Sequence, residues 1–288
     1  MIRIGTRGSA LALAQAEWVA ARLNGECSLV TVSTSGVEPN DKSRWTSSLE
    51  RALLAGDIDL AVHSAKDVPS ELAPGLELVA FPSRADPRDV ICGASSLTAL
   101  AIGARVGTSS LRRGAQLRAL RPDLEIIELR GNVDTRLRKL AAGEADALVL
   151  ALAGLERLGR GDEAGGVLDR LVPAPGQGAL AVEARPGRVS DELLAPLRDP
   201  ATSLAVTAER DLVAALGASC NTPVGALGHA GPDGRVTLTA WVGLPDGSAW
   251  VSDRVVGAAE EVGRTVAERL LSVGAGEMLA RAEREVAG

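Results

Sequence analysis

The sequence contains no tyrosine, one phenylalanine and four tryptophans. So few rings exclude a stacking platform for nucleic-acid bases. Histidine occurs twice, as His63 and His229, too few and too separated for a zinc site. The three cysteines, Cys27, Cys92 and Cys220, are odd in number and scattered, so they imply neither a disulfide framework nor a CxxC metal site. No metal is expected. No apolar run approaches the ~20 residues that span a bilayer, so no membrane partner is expected. Positive charge is not in excess either: the net charge is -6, which argues against a general nucleic-acid binder. The chain opens on Met1-Ile2-Arg3-Ile4-Gly5, which reads as a strand rather than a signal segment, and a cytoplasmic location is expected.

What is present is an ordinary globular composition, 46% hydrophobic and 24% charged over 288 residues, enough for two or three domains. Lysine is confined to Lys42, Lys66 and Lys139, so the basic residues are nearly all arginine. Alanine and glycine are abundant too, so arginine placement is the signal and arginine abundance is not. Two segments stand out, Val106-Gly107-Thr108-Ser109-Ser110-Leu111-Arg112-Arg113 and Leu129-Arg130-Gly131-Asn132-Val133-Asp134-Thr135-Arg136. Each follows a short apolar run and opens an amphipathic one. Hydroxyl side chains, glycine and arginine at a strand-to-helix turn make an anion site, because the helix start presents free N–H groups and arginine adds a bidentate fork. Thr6-Arg7-Gly8-Ser9 forms a third such turn, with Ser9 placed as a helix cap. The alternative is that these arginines lie on solvated helix faces.

Strands are expected at Ile2–Gly5, Leu29–Ser33, Ile58–His63, near Val106, and at Glu125–Leu129 and Ala147–Ala151. Helices are expected after Ser9, at Leu49–Ala55, from Ser109 or Ser110 to Leu120, at Thr135–Ala142 and from Ala153 to Leu158. Gly36–Ser48 reads as a polar loop. The alternation implies parallel sheets. Pro82–Arg88 reads as a hinge, Leu171–Gly178 as a second crossover and Pro186–Pro200 as a linker. Beyond it, a helix containing Ala205–Ala215, strands at Val236–Val242 and Trp250–Val256 joined at Pro245-Asp246-Gly247, and a helix at Ala258–Leu271 form a smaller α+β unit. Leu53–Val62 resembles Leu140–Val149: a helix end, a glycine stop, then an acidic residue leading into a buried strand. Two similar lobes place a ligand cleft at the carboxyl ends of their strands, chance likeness being the alternative.

Two further features carry chemistry. Lys66-Asp67 follows the strand Ile58–His63, so its carboxylate is expected in the arginine-lined cleft, where nearby positive charge keeps it ionised. A surface ion pair is the other reading. Cys220 sits among Gly217, Ser219 and Pro223 on a loop with no adjacent histidine, where its thiol is either a nucleophile or an ordinary thiol. His63 reads as a core residue.

Taken together, Thr6–Leu13, Ala61–Pro69, Val106–Arg113, Leu129–Arg136, Pro175-Gly176-Gln177-Gly178 and the Cys220 loop resemble the porphobilinogen deaminase (hydroxymethylbilane synthase) family, in order and over essentially the whole chain. The resemblance implies an α/β fold of two lobes like those of periplasmic binding proteins plus a C-terminal α+β domain. In this chain that is residues 1–85 with a return segment near 175–196, then 86–174, then 197–288. It implies a transferase that joins four porphobilinogen molecules head to tail with loss of ammonia and then releases hydroxymethylbilane by hydrolysis. The primer is a dipyrromethane cofactor in thioether linkage to Cys220. Asp67 matches the catalytic carboxylate, which contacts pyrrole N–H groups and stabilises the azafulvene-type cation. Ser64, Lys66, Asp67, Thr108, Ser109, Ser110, Arg112, Arg113 and Arg136 match cofactor-holding positions. Arg7, Ser9, Arg130, Arg136 and Arg157 match substrate-binding ones. The resemblance also implies a monomer that passes its product to uroporphyrinogen-III synthase. Two departures stand out. The family's glycine-rich lid, of the type GGKGxFxxELE, is replaced by Asn40–Glu50, with Trp45 at the phenylalanine position. Ala218-Ser219 replaces the two glycines before the cysteine. A two-lobed polycarboxylate-binding protein and an inactive homologue are the alternative functions.

Overall fold

A computed structural model describes residues 1–33, 43–218 and 222–287. The expectations for the lid at Asn40–Lys42 and for Cys220 lie outside the described residues.

The first lobe begins with β1 (Ile2–Thr6), α1 (Ala10–Ala20), β2 (Cys27–Thr31), α2 (Ser43–Ala55), β3 (Leu60–Ser64) and β4 (Glu77–Ala80). The second has β5 (Asp89–Cys92), β6 (Arg105–Gly107), α3 (Leu111–Leu120), β7 (Glu125–Ile127), α4 (Val133–Ala141), β8 (Ala147–Ala151), α5 (Leu152–Arg157) and β9 (Gly166–Val167). The chain then returns through β10 (Leu180–Ala184) and the short α6 (Asp191–Leu194). The two five-stranded sheets run β2-β1-β3-β10-β4 and β7-β6-β8-β5-β9. Both are mixed, which corrects the expectation of parallel sheets. β10 pairs antiparallel with β3 and β4, and β5 pairs antiparallel with β8 and β9. Each of these strands arrives from a crossover between lobes, so the helix connection that enforces parallel neighbours does not govern it. β4, β5 and β10 were invisible to periodicity because four or five mostly apolar residues carry no pattern that separates strand from helix. α2 starts at Ser43, so the last part of the expected polar loop is helical.

The internal echo has a structural counterpart. Asp59 accepts from the Arg3 backbone N–H at 2.9 Å and from its guanidinium, and Asp146 accepts from the Arg105 N–H at 2.7 Å and its guanidinium. Gly56 and Gly143 stop the preceding helices at φ 78° and 76°, a region open to glycine. The same device therefore fixes β1 beside β3 and β6 beside β8.

The third unit holds α7 (Pro200–Ala215), β11 (Val224–Ala230), β12 (Arg235–Gly243), β13 (Trp250–Ala258), α8 (Ala259–Ser272) and α9 (Ala275–Ala287). Asp199 caps α7 by accepting from the Thr202 N–H at 2.7 Å, and Pro200 suits the first helical position. α7 and α8 bury Ala208, Leu212, Val262 and Val266 against Leu238 and Ala240 of the antiparallel sheet. β11 and α9 were not expected.

Three-way contacts join the units. Glu209 on α7 is fully buried. It accepts from Arg84 Nη1 at 2.6 Å, from the Gly176 N–H at 2.6 Å and from the Gly228 N–H at 2.7 Å. One carboxylate thus ties both crossovers to the third unit. The β12–β13 turn docks on α3, where Arg118 donates to the Pro245 carbonyl at 2.9 Å. Among the described residues no helix is long and apolar enough to cross a membrane.

Candidate active site

The turns at the carboxyl ends of β1, β3, β6 and β7, with the end of α5 after β8, carry nearly all the described residues singled out from sequence. After β1, Ser9 caps α1 by accepting from the Ala12 N–H at 3.3 Å. After β3, residues Ala65–Asp67 form a single 3-10 turn. Arg7, Ser9, Ser64 and Asp67 line one pocket together with Gln15 and His63. Gln15, on α1, donates to Ser64 Oγ at 2.8 Å and so locks the two turns together. His63 is buried and shares a 2.9 Å hydrogen bond with Glu183 on β10, the core role expected of it, although its ring also edges the pocket.

After β6, the Thr108 hydroxyl accepts from the Ser110 N–H at 3.2 Å, and Ser110 caps α3 by accepting from the Arg113 N–H at 3.4 Å. Ser109 is exposed and accepts from Arg136 Nη2 at 2.9 Å. Arg112 and Arg113 are not solvated. They are 4% and 6% exposed and converge on the buried Asp89 of β5, with Arg112 Nη1 at 2.8 Å and Arg113 Nη2 at 2.7 Å. Two guanidiniums around one carboxylate leave an excess positive charge. Gln177 of the return crossover completes this cluster, donating to Asp89 Oδ1 at 2.8 Å and to the Pro87 carbonyl at 2.7 Å. Its carbonyl oxygen accepts from Lys66 and from Arg113, both at 3.5 Å, which links the turn after β3 to the second lobe. After β8, Arg157 ends α5 and donates to the Gly178 carbonyl at 2.7 Å. Arg130 is exposed and pairs with Glu128 at 2.5 Å.

The donor set suits a polycarboxylate. Arg136 donates to the Gly131 carbonyl and Ser109, and Arg157 to a carbonyl; no carboxylate is bonded to either among the described residues. Burial pulls both guanidiniums below their ordinary range, helped for Arg136 by the charge of Arg113; Arg157 falls to about 10. Cations held this way favour an anionic ligand. Arg112 Nε is moreover a buried donor with no hydrogen-bond partner. The residues present therefore fit a dipyrromethane, which carries carboxylate side chains.

Asp89, Glu183 and Glu209 did not emerge from sequence as site-building residues, and Gln177 stands out there only as part of the motif Pro175-Gly176-Gln177-Gly178. A signal existed for Glu183, the one charge in the apolar stretch 179–184, where a carboxylate demands a partner; Asp89 follows Arg88 and Glu209 precedes Arg210 and Asp211, so neither stands out.

Residues 2–192 match the family model "porphobilinogen deaminase, dipyromethane cofactor binding domain", and residues 203–272 match the C-terminal domain of the same family. The chain is 45% identical to the porphobilinogen deaminase of Deinococcus deserti, covering 99% of each chain. It is 48% identical to that of Rubrobacter xylanophilus, covering 96% of this chain and 95% of the other. Among solved structures, an ABC transporter periplasmic substrate-binding protein from Coxiella burnetii matches with a TM-score of 0.41 at 16% identity, covering 70% of this chain and 94% of that one. The chain belongs to the porphobilinogen deaminase family, as a transferase with hydroxymethylbilane synthase activity that works with a dipyrromethane cofactor.

Proposed function

We propose that Asp67 is the carboxylate that carries the condensation, in a groove whose arginines come from both lobes, and that Cys220 bears the cofactor. The observation that carries this reading is the pocket in which Arg7, Ser9, Ser64 and Asp67 meet. Bound through a thioether to Cys220, the dipyrromethane supplies the pyrrole carbon to which the first substrate unit is joined.

Arg7 and Ser9, at the start of α1, bind the acetate and propionate groups of porphobilinogen where the helix dipole favours negative charge. Arg130, Arg136 and Arg157 extend that binding along the groove. Asp67 accepts from the pyrrole N–H and faces the carbon that turns electron-poor as ammonia departs. A fixed carboxylate beside developing positive charge lowers the barrier, because it needs no reorganisation. Ser64, Lys66, Thr108, Ser109 and Ser110 hold the tethered end with hydroxyl and ammonium donors. Arg112 and Arg113 add their positive charge there while Asp89 fixes their orientation. Each added unit brings two more carboxylates, which is why the groove needs many guanidiniums and few competing acids.

The domain division at 1–85 with 175–196, at 86–174 and at 197–288 is supported by the membership of β10 in the first sheet and by the separate third sheet. A cytoplasmic monomer that passes its product to uroporphyrinogen-III synthase is proposed on the family resemblance. The test of the central role is Asp67→Ala: the variant is expected to fold and to bind porphobilinogen but to lose turnover by about 10²-fold or more. A porphobilinogen-consumption assay showing near-normal turnover contradicts the assignment.

A further inference from the structure

We propose that Arg210, on α7 of the C-terminal unit, is a positioning residue for Asp67: it holds the backbone just past the catalytic turn and so sets where the carboxylate stands. The proposal rests on the reading of Asp67 given above.

Arg210 Nη1 donates to the Val68 carbonyl at 3.2 Å, and Nη2 donates to the Pro69 carbonyl at 2.7 Å and the Ser70 carbonyl at 3.0 Å. The three acceptors are consecutive and start one residue after Asp67. All are neutral, and no carboxylate is bonded to Arg210 among the described residues. Burial pulls this guanidinium below its ordinary range, against the opposing charges of Asp211 and Glu183. A half-buried cation bonded only to carbonyls is a poor device for stability alone. Its planar fork is a good device for fixing three successive peptide groups.

The other side of Asp67 is held by the same helix turn. Glu209 accepts from the Gly176 N–H at 2.6 Å. Gly176 has φ 74° and lies so close to the turn that a Cβ there would stand 2.8 Å from the Lys66 nitrogen and 2.9 Å from the Ala65 carbonyl carbon. One turn earlier on α7, Val206 is buried in one cluster with Ala65 and Val68. Residues 65–66 and 68–70 are thus both set by α7, with Asp67 between them. In sequence, α7 ends at Ala215, five residues before Cys220. One helix therefore controls the catalytic turn from both sides.

The experiment uses cofactor-loaded enzyme, with loading checked by intact mass. Arg210→Gln reaches at most part of the three-carbonyl set. Its kcat is expected to fall about tenfold or more while KM stays within about twofold, because misplacing a catalytic group by a fraction of an ångström acts on turnover. Arg210→Lys, which keeps the charge and several donors, is expected to recover part of that loss. In an Asp67→Glu background, where the carboxylate is already displaced, Arg210→Gln is expected to cost no more than about twofold. A parental kcat in folded, loaded Arg210→Gln overturns the proposal, as does an equal fold-loss in both backgrounds. Should Arg210→Gln not fold, Arg210→Lys decides: kcat below the parent at unchanged KM supports positioning, and a parental kcat overturns it. Failure of the Asp67 reading is seen separately, as near-normal turnover in Asp67→Ala with Arg210 intact.

Discussion

Asp89 has no solvent exposure, yet it sits between two guanidiniums that are themselves almost fully buried. Burial alone pushes its carboxyl up, but Arg112 and Arg113 outweigh this and hold it well below the usual carboxylate range. A folded-state value below the unfolded one, near 3.9, means its contribution to stability is complete above about pH 4 and is lost as pH falls below that. Asp89→Asn leaves two buried cations without a counter-charge and is expected to cost roughly 3–5 kcal/mol near neutral pH. Urea unfolding as a function of pH checks both points: the gap between parent and variant should close below about pH 4. Arg157 has the opposite sign. Its value of about 10 lies below the unfolded one, so burying its charge is unfavourable at neutral pH and is relieved as pH rises through that value. Arg157→Gln is therefore expected to keep or raise the melting temperature while raising KM for porphobilinogen by about tenfold, the equivalent of one charge-assisted hydrogen bond. A lower melting temperature with unchanged KM would assign Arg157 a structural role instead.

At the scale of elements, the site is a set of strand-to-helix turns, and these were the legible part. Ser9 and Ser110 follow short apolar runs and precede amphipathic ones, so their capping role can be read locally, and each caps its helix. Asp67 could be placed at a strand end for the same reason. The braces were not legible because their partners lie far along the chain: Asp89 is 23 residues from Arg112, Glu183 is 120 from His63 and Glu209 is 125 from Arg84. No local pattern encodes such pairs. β10 escaped likewise, since its membership in the first sheet depends on a return from the second lobe. Glu209 concentrates this long-range order in one side chain. Glu209→Ala removes the acceptor for Arg84 and for two buried N–H groups, so it is expected to cost about 3–5 kcal/mol. Loss of less than about 1 kcal/mol in chemical denaturation would show that water replaces the carboxylate.

For the whole molecule, two similarly built lobes are joined by two crossovers, and a third unit grips both crossovers through α7. In the proposed groove, Arg136 and Arg157 are bonded to no carboxylate among the described residues. A bound polyanion therefore stabilises the folded state by linkage. Cys220→Ser, which cannot form the thioether, is expected to melt lower than the loaded enzyme by roughly 5 °C or more in a calorimetric scan. Equal melting temperatures would show that the groove is not organised around a tethered anion. The most direct test of the account is the mass of the purified, active protein, followed by peptide mapping. The expected mass is that of the polypeptide plus one dipyrromethane, carried on the Cys220 peptide and absent from those of Cys27 and Cys92. Active enzyme with the bare polypeptide mass, or with the group on another residue, would contradict it.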